Sequence, residues 1–106
     1  MEITDKNFEE ITNKKIPTLI VFKAPWCAPC RMMAPIIEEL TSEYFEKVII
    51  GSVNVDENPV LSTKFKIRSI PTILLINEKG EVVEIIVGAR PKSELSKKIE
   101  TLITKV

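Results

Sequence analysis

The chain contains no histidine, and that absence closes off more chemistry than any other feature of its composition. Without imidazole there is no Cys–His or Ser–His nucleophile pair, no side-chain base with an ordinary pKa near neutrality and no histidine metal site. Cysteine is scarce too. Two are present, so four thiolates for a zinc site cannot be gathered within one chain. Neither sign of charge is in excess, since fifteen Lys and Arg offset fifteen Asp and Glu. A nucleic-acid binder needs a basic face against phosphates, so neutrality argues against that class. Long apolar runs are also missing. The longest, "LIVF" and "TILLI", have the length of strands and fall far short of a membrane span. The opening "MEITDKNF" starts acidic and carries no secretory-type apolar segment, so a cytoplasmic chain is the expectation. In that compartment a structural disulfide is rare, and a cysteine pair is more often redox-active or metal-binding.

What is present is an ordinary globular composition, 44% hydrophobic and 28% charged over 106 residues, enough for one domain spanning 1–106 with a real core. Residues 4–12 open with Thr and Asp as cap candidates and read as a short helix. Residues 17–23, "PTLIVFK", form a continuous apolar run of the kind that a strand buried on both faces requires. From Cys30 to about Lys47, Met33, Ile36, Ile37, Leu40 and Tyr44 recur at helical spacing. Residues 48–55 are a second β-rich run, and 58–65 a short helix with Asn58 as cap and Pro59 at its first position. Residues 72–76 and 81–88 flank "NEKG" and predict an antiparallel hairpin. Leu95, Ile99, Leu102, Ile103 and Val106 then mark one face of a terminal helix. Strand, long helix, strand implies parallel pairing. The expected architecture is therefore α/β: a mixed sheet of four to five strands flanked by helices on both faces.

Both cysteines lie in "WCAPC", at the hand-over from the first long strand to the first long helix. The first turn of a helix offers unpaired N–H groups and the positive end of its dipole, which favour a thiolate. Cys27 is thus the expected nucleophile, with a lowered pKa. Cys30 follows three residues on, about one turn into the helix, which puts the two Cα atoms roughly 5–5.5 Å apart, within disulfide range. Pro29 costs little there, because its missing N–H would have had no partner. Three roles compete. Metal binding would need carboxylates or a second chain. A structural staple would remove only about 2 kcal/mol of chain entropy for so small a loop. Redox exchange explains the position and the flanking Trp26 and prolines, and it is the stronger reading.

The chain resembles the thioredoxin family over nearly its whole length. The resemblance is carried by "WCAPCR" (26–31), Pro35, "VNVDENP" (53–59), "IPT" (70–72) and "VGA" (87–89). It implies the thioredoxin fold and a protein dithiol–disulfide oxidoreductase that needs no cofactor beyond the redox-active Cys27–Cys30 disulfide, and no metal. Cys27 would attack the disulfide of a substrate protein and Cys30 would resolve the mixed disulfide. Pro71 would be a cis-proline opposite the cysteines, with the Ile70 backbone pairing to an extended substrate segment. Trp26, Ala28, Pro29, Gly88 and Ala89 would complete the substrate-binding rim. The implied partners are a thioredoxin reductase or equivalent electron donor and disulfide-containing proteins, with the chain itself a monomer away from membranes and nucleic acid. Two other roles stay open: a specialised reductant for a dedicated partner, and a thioredoxin-fold binding module whose redox activity is incidental.

Four positions depart from the family pattern. Val21 stands where the family has a buried aspartate, Ser52 where it has the facing lysine, Lys23 where it has a tryptophan, and Ala28 in place of the central glycine. Val21 is expected to be buried, on the same strand face as Lys23. The departures leave Cys30 without the family's proton acceptor. Lys23 could tune the thiols electrostatically or could simply extend to solvent, which is the simpler reading. Asp56 could serve as a distant acceptor or only shape the turn before Asn58. Pro35 is expected to bend its helix.

Overall fold

The computed structural model describes residues 1–104. The elements run α1 (Phe8–Thr12), β1 (Thr18–Lys23), α2 (Ala28–Glu43), β2 (Ile49–Asn54), α3 (Pro59–Lys64), β3 (Thr72–Ile76), β4 (Val82–Val87) and α4 (Lys92–Thr104). They build one four-stranded sheet in the order β2-β1-β3-β4. β1 and β2 pair in parallel, while β1 with β3 and β3 with β4 are antiparallel. Of a fifth strand, the upper end of the expected four to five, there is a single parallel bridge, Glu2 to Ser52, on the outer edge of β2.

The unbroken apolar runs of β1 and β3 follow from their central place. Leu19 and Val21 of β1, with Ile73 and Leu75 of β3, join a core completed by Met33 and Leu40 of α2 and Leu95, Ile99 and Leu102 of α4. On the opposite face Ile20, Phe22, Leu74 and Ile76 pack with Ile3, Phe8 and Ile11 from the N-terminal segment and Leu61 of α3. Alternate side chains leave a strand on opposite faces, so a strand covered on both sides must be apolar throughout. β4 at the edge differs. Of its apolar residues Ile86 is buried, whereas Val83, Ile85 and Val87 are exposed because no helix covers the edge there.

Several local expectations need correction. α2 begins at Ala28, with Pro29 in its first turn, and ends at Glu43 instead of near Lys47. Tyr44 is its C-cap; its ring remains buried and its hydroxyl donates to Glu100 Oε2 at 2.7 Å, so it kept helical spacing without being helical. The turn that follows places Glu46 at φ 71°, left-handed backbone that ends the helix. Pro35 lies inside α2, which continues past it. Asn58 is the N-cap residue of α3, yet its side chain does not cap the helix. The carboxylate of Asp5 does so from across the fold, accepting from the N–H groups of Val60 at 3.2 Å and Leu61 at 2.9 Å. Asn58 returns the tie, its Oδ1 accepting from the Asp5 N–H at 2.9 Å. In the terminal helix Leu95, Ile99 and Leu102 are buried as expected, and Val106 lies outside the described residues. None of the helices among the described residues is long and apolar enough to cross a membrane.

Candidate active site

β1 ends at Lys23, and the chain turns through Ala24, Pro25 and Trp26 before α2 begins. Two bonds hold this turn: the Cys27 N–H donates to Ala24 O at 3.2 Å, and Arg31 Nη1 donates to Pro25 O at 2.8 Å. Cys27 is the N-cap of α2, with extended backbone at φ −91° and ψ 110°. Its sulfur accepts from the Cys30 N–H at 3.2 Å, the place that an oxygen of Ser or Asp fills at an ordinary N-terminus. The helix end thus directs an orphan donor and the positive end of its dipole at Cys27 Sγ, and both favour negative charge on that sulfur.

Cys27 and Cys30 form a disulfide with a Cα–Cα separation of 5.3 Å, inside the interval that helical geometry predicts. Both are about 5% exposed, packed with Ala24 against Val55 and Ile70. In the oxidised pair Cys27 is thus as buried as Cys30. Across from them the Ile70–Pro71 peptide bond is cis, and Ile70 O lies 3.8 Å from Cys27 Sγ. The Gly88 N–H donates to Pro71 O at 2.8 Å, which fastens the end of β4 to this loop. Gly88 has φ 100°, a backbone conformation that glycine adopts without penalty. These ties set Ile70 and Pro71 beside the disulfide that Trp26, Ala28 and Pro29 adjoin in the chain, and bring Gly88, with Ala89 following it, to Pro71.

Trp26 is 66% exposed, so it is not the half-buried packing residue that its bulk would suggest. Its Nε1 donates to Asp56 Oδ2 at 2.8 Å. The Asp56 carboxylate thus holds the indole, while in the turn before Asn58 the side chain of Asn54 accepts from the Asp56 N–H at 2.9 Å. Behind the cysteines, Val21 is 3% exposed and stands beside Ser52 in the parallel ladder. Lys23, exposed at the end of β1, lines a cleft of about 550 Å³ with Cys30, Ser52 and Asn54. Asp56 is not among the residues lining it. Sequence reading missed Arg31 as the buttress of the turn and Glu2 as a member of this cleft. No spacing rule could have found Glu2, because only the bridge to Ser52 brings it there.

The sequence model of the Thioredoxin family matches residues 1–101. The chain belongs to the thioredoxin family. It is 44% identical over 100 residues to "Thioredoxin 1" of Nostoc sp., covering 93% of this chain and 92% of that protein. The "Thioredoxin" of Chlorobaculum thiosulfatiphilum is 49% identical over 100 residues, with 93% and 92% of the two chains covered. The "Thioredoxin" of Buchnera aphidicola is 50% identical over 96 residues, covering 90% and 88%. Family membership and the Cys27–Cys30 disulfide together make this chain a dithiol–disulfide oxidoreductase, with protein-disulfide reductase activity. The two thiols carry a thioredoxin's two reducing equivalents, and disulfide substrates and a reductase donor are the classes of partner that such a protein serves.

Proposed function

We propose that the chain is a general cytoplasmic reductant of protein disulfides in which Cys27 attacks, Cys30 resolves and no bound cofactor takes part. The observation that carries this reading is the placement of Cys27 at the N-cap of α2, facing Ile70 O, with Cys30 one turn behind it. In the reduced protein the Cys27 thiolate attacks one sulfur of the substrate disulfide. A bond forms from Cys27 Sγ to that sulfur, and the other substrate sulfur leaves as a thiolate that takes up a proton. Cys30 then loses its proton and attacks Cys27 Sγ, releasing the second substrate thiolate and closing the Cys27–Cys30 disulfide. Two electrons pass from the protein to the substrate, and a thioredoxin reductase or equivalent donor restores the dithiol. An extended substrate segment pairs with the Ile70 backbone, beside a rim formed by Trp26, Pro71, Gly88 and Ala89.

The test is the reduction of a disulfide-bonded protein such as insulin by dithiothreitol, with and without catalytic amounts of the chain. Acceleration is expected with the parent, loss of acceleration with Cys27→Ser, and trapped mixed disulfides with Cys30→Ser. A Cys27→Ser variant as fast as the parent would overturn the assignment. Val21 and Ser52, in place of an acid and a lysine, favour a second reading as a reductant for a dedicated partner. A standard thioredoxin reductase that fails to reduce the Cys27–Cys30 disulfide would select it.

A further inference from the structure

Cys30 is about 5% exposed and packed in an apolar cluster. Burial penalises a thiolate, so the second step of the exchange needs something to favour the ionised form and somewhere for the proton to go. Two adjoining cavities, of about 550 and 460 Å³, share Lys23, Cys30, Ala34 and Ser52 in their walls. Cys30 borders both, whereas Ile70, Pro71 and Gly88 line neither. The titratable or charged groups lining them are Glu2 and the Met1 ammonium from the N-terminal segment, Lys23 from β1, and Arg31 and Glu38 from α2. Arg31 is committed to Pro25 O, and the Met1 ammonium donates to Ile50 O at 3.2 Å. The Lys23 ammonium makes no hydrogen bond or ion pair among the described residues, and neither side-chain carboxylate, of Glu2 or Glu38, makes one. Val21 contributes only apolar surface.

We propose that Lys23 sets the ionisation of Cys30, its ammonium favouring the thiolate from across the shared cleft while the proton leaves through cleft water to solvent. Lys23 acts through Cys30 and is a positioning residue. The inference rests on Cys30 being the resolving thiol. In the exchange, the proton released from Cys30 passes to water and is replaced, in the overall balance, by the proton taken up by the leaving substrate thiolate. Glu2, facing the same cleft with the opposite charge, acts in the opposite sense.

Stopped-flow reaction of the reduced protein with the small aromatic disulfide 5,5′-dithiobis(2-nitrobenzoate), followed from pH 5 to 10, separates the two steps. Attack by Cys27 releases one chromophoric thiolate, and attack by Cys30 on Cys27 Sγ releases the second. In Lys23→Met the midpoint of the second phase is expected to rise by about one unit, making that phase roughly tenfold slower below the midpoint. The first phase should move less. Lys23→Arg should restore the parent profile, and Glu2→Gln should shift the second phase downward. Because Lys23 is exposed, these variants should keep the parent urea midpoint, and Lys23→Gln provides a second neutral variant if Met does not. The proposal is overturned if the second-phase profile of the neutral variant superimposes on the parent's, if both phases move equally, or if Arg behaves like Met. A parent protein with no second phase would instead remove the role of Cys30, and the inference with it.

Discussion

At Gly51 on β2 the N-terminal segment packs directly over the sheet, and replacing this glycine by alanine tests how that segment is held. A Cβ at Gly51 would lie 2.6 Å from Ile3 Cδ1, 2.8 Å from Ile3 Cγ1 and 3.0 Å from Met1 O. Carbon atoms in contact sit roughly 3.5–4.0 Å apart, so Ile3 must give way by about 1 Å. Ile3 is fully buried, and its N–H donates to Ser52 O at 2.8 Å while the Ser52 N–H donates to Met1 O at 3.0 Å. One response keeps the segment in place and strains the packing, at a cost of about 1–3 kcal/mol. The other releases it, losing these two hydrogen bonds and that of the Met1 ammonium to Ile50 O, about 0.5–1.5 kcal/mol each, and the burial of Ile3, about 1.5–3 kcal/mol. The first is cheaper. A backbone-entropy gain of roughly 0.4–1 kcal/mol from replacing glycine offsets part of it. Gly51→Ala should therefore destabilise by about 1–2 kcal/mol, read as a lower urea midpoint at an unchanged slope. Ile3→Ala removes the obstructing atoms and alone should cost about 2–5 kcal/mol. The double variant should then lose about 1–2 kcal/mol less than the sum of the two single losses. An unchanged midpoint in Gly51→Ala, or strict additivity in the double variant, would refute the steric account.

Two further tests concern other ties. Asp5→Ala removes the acceptor for the Val60 and Leu61 N–H groups, and a loss of about 1 kcal/mol is expected in urea unfolding; no loss would mean that α3 needs no cap from outside. Tyr44 donates to Glu100, and that bond, reinforced by burial and by the Glu100 charge, raises its pKa above the ordinary 10.0. The folded state thus retains the phenol proton more tightly than the unfolded one, so the associated stability is complete below pH 10.0 and is lost as pH rises through the folded value. Tyr44→Phe should flatten this alkaline decline, measured as the urea midpoint against pH from 9 to 12; an identical decline would rule out Tyr44 as its source.

The element order was legible because its causes are local. Apolar runs of strand length, helical spacing and the "NEKG" turn depend on residues close together in the chain, and α2, β1, β3 and the hairpin follow from them. Spacing failed where burial and helix parted company. Tyr44 is buried as part of the terminating turn, so it extended the pattern of α2 beyond its end. Asn58 takes the N-cap position of α3 as its sequence suggests, but its side chain is tied to Asp5, a residue distant in sequence whose carboxylate supplies the capping bonds.

By itself the sequence determined the chemistry: two thiols one helical turn apart at a strand-to-helix junction, in a chain with no histidine, leave redox exchange as the economical use of the pair. It also determined, through resemblance, which residues to look for around them. Only the tertiary structure decided which of these meet. Ile70–Pro71 faces Cys27, Gly88 is tied to Pro71, and Asp56 is spent on Trp26. Lys23, Glu2 and Cys30 share a cleft because β1, the N-terminal bridge and α2 converge there. Such contacts are set by how strands pair and helices pack across the sheet, and no local periodicity encodes them.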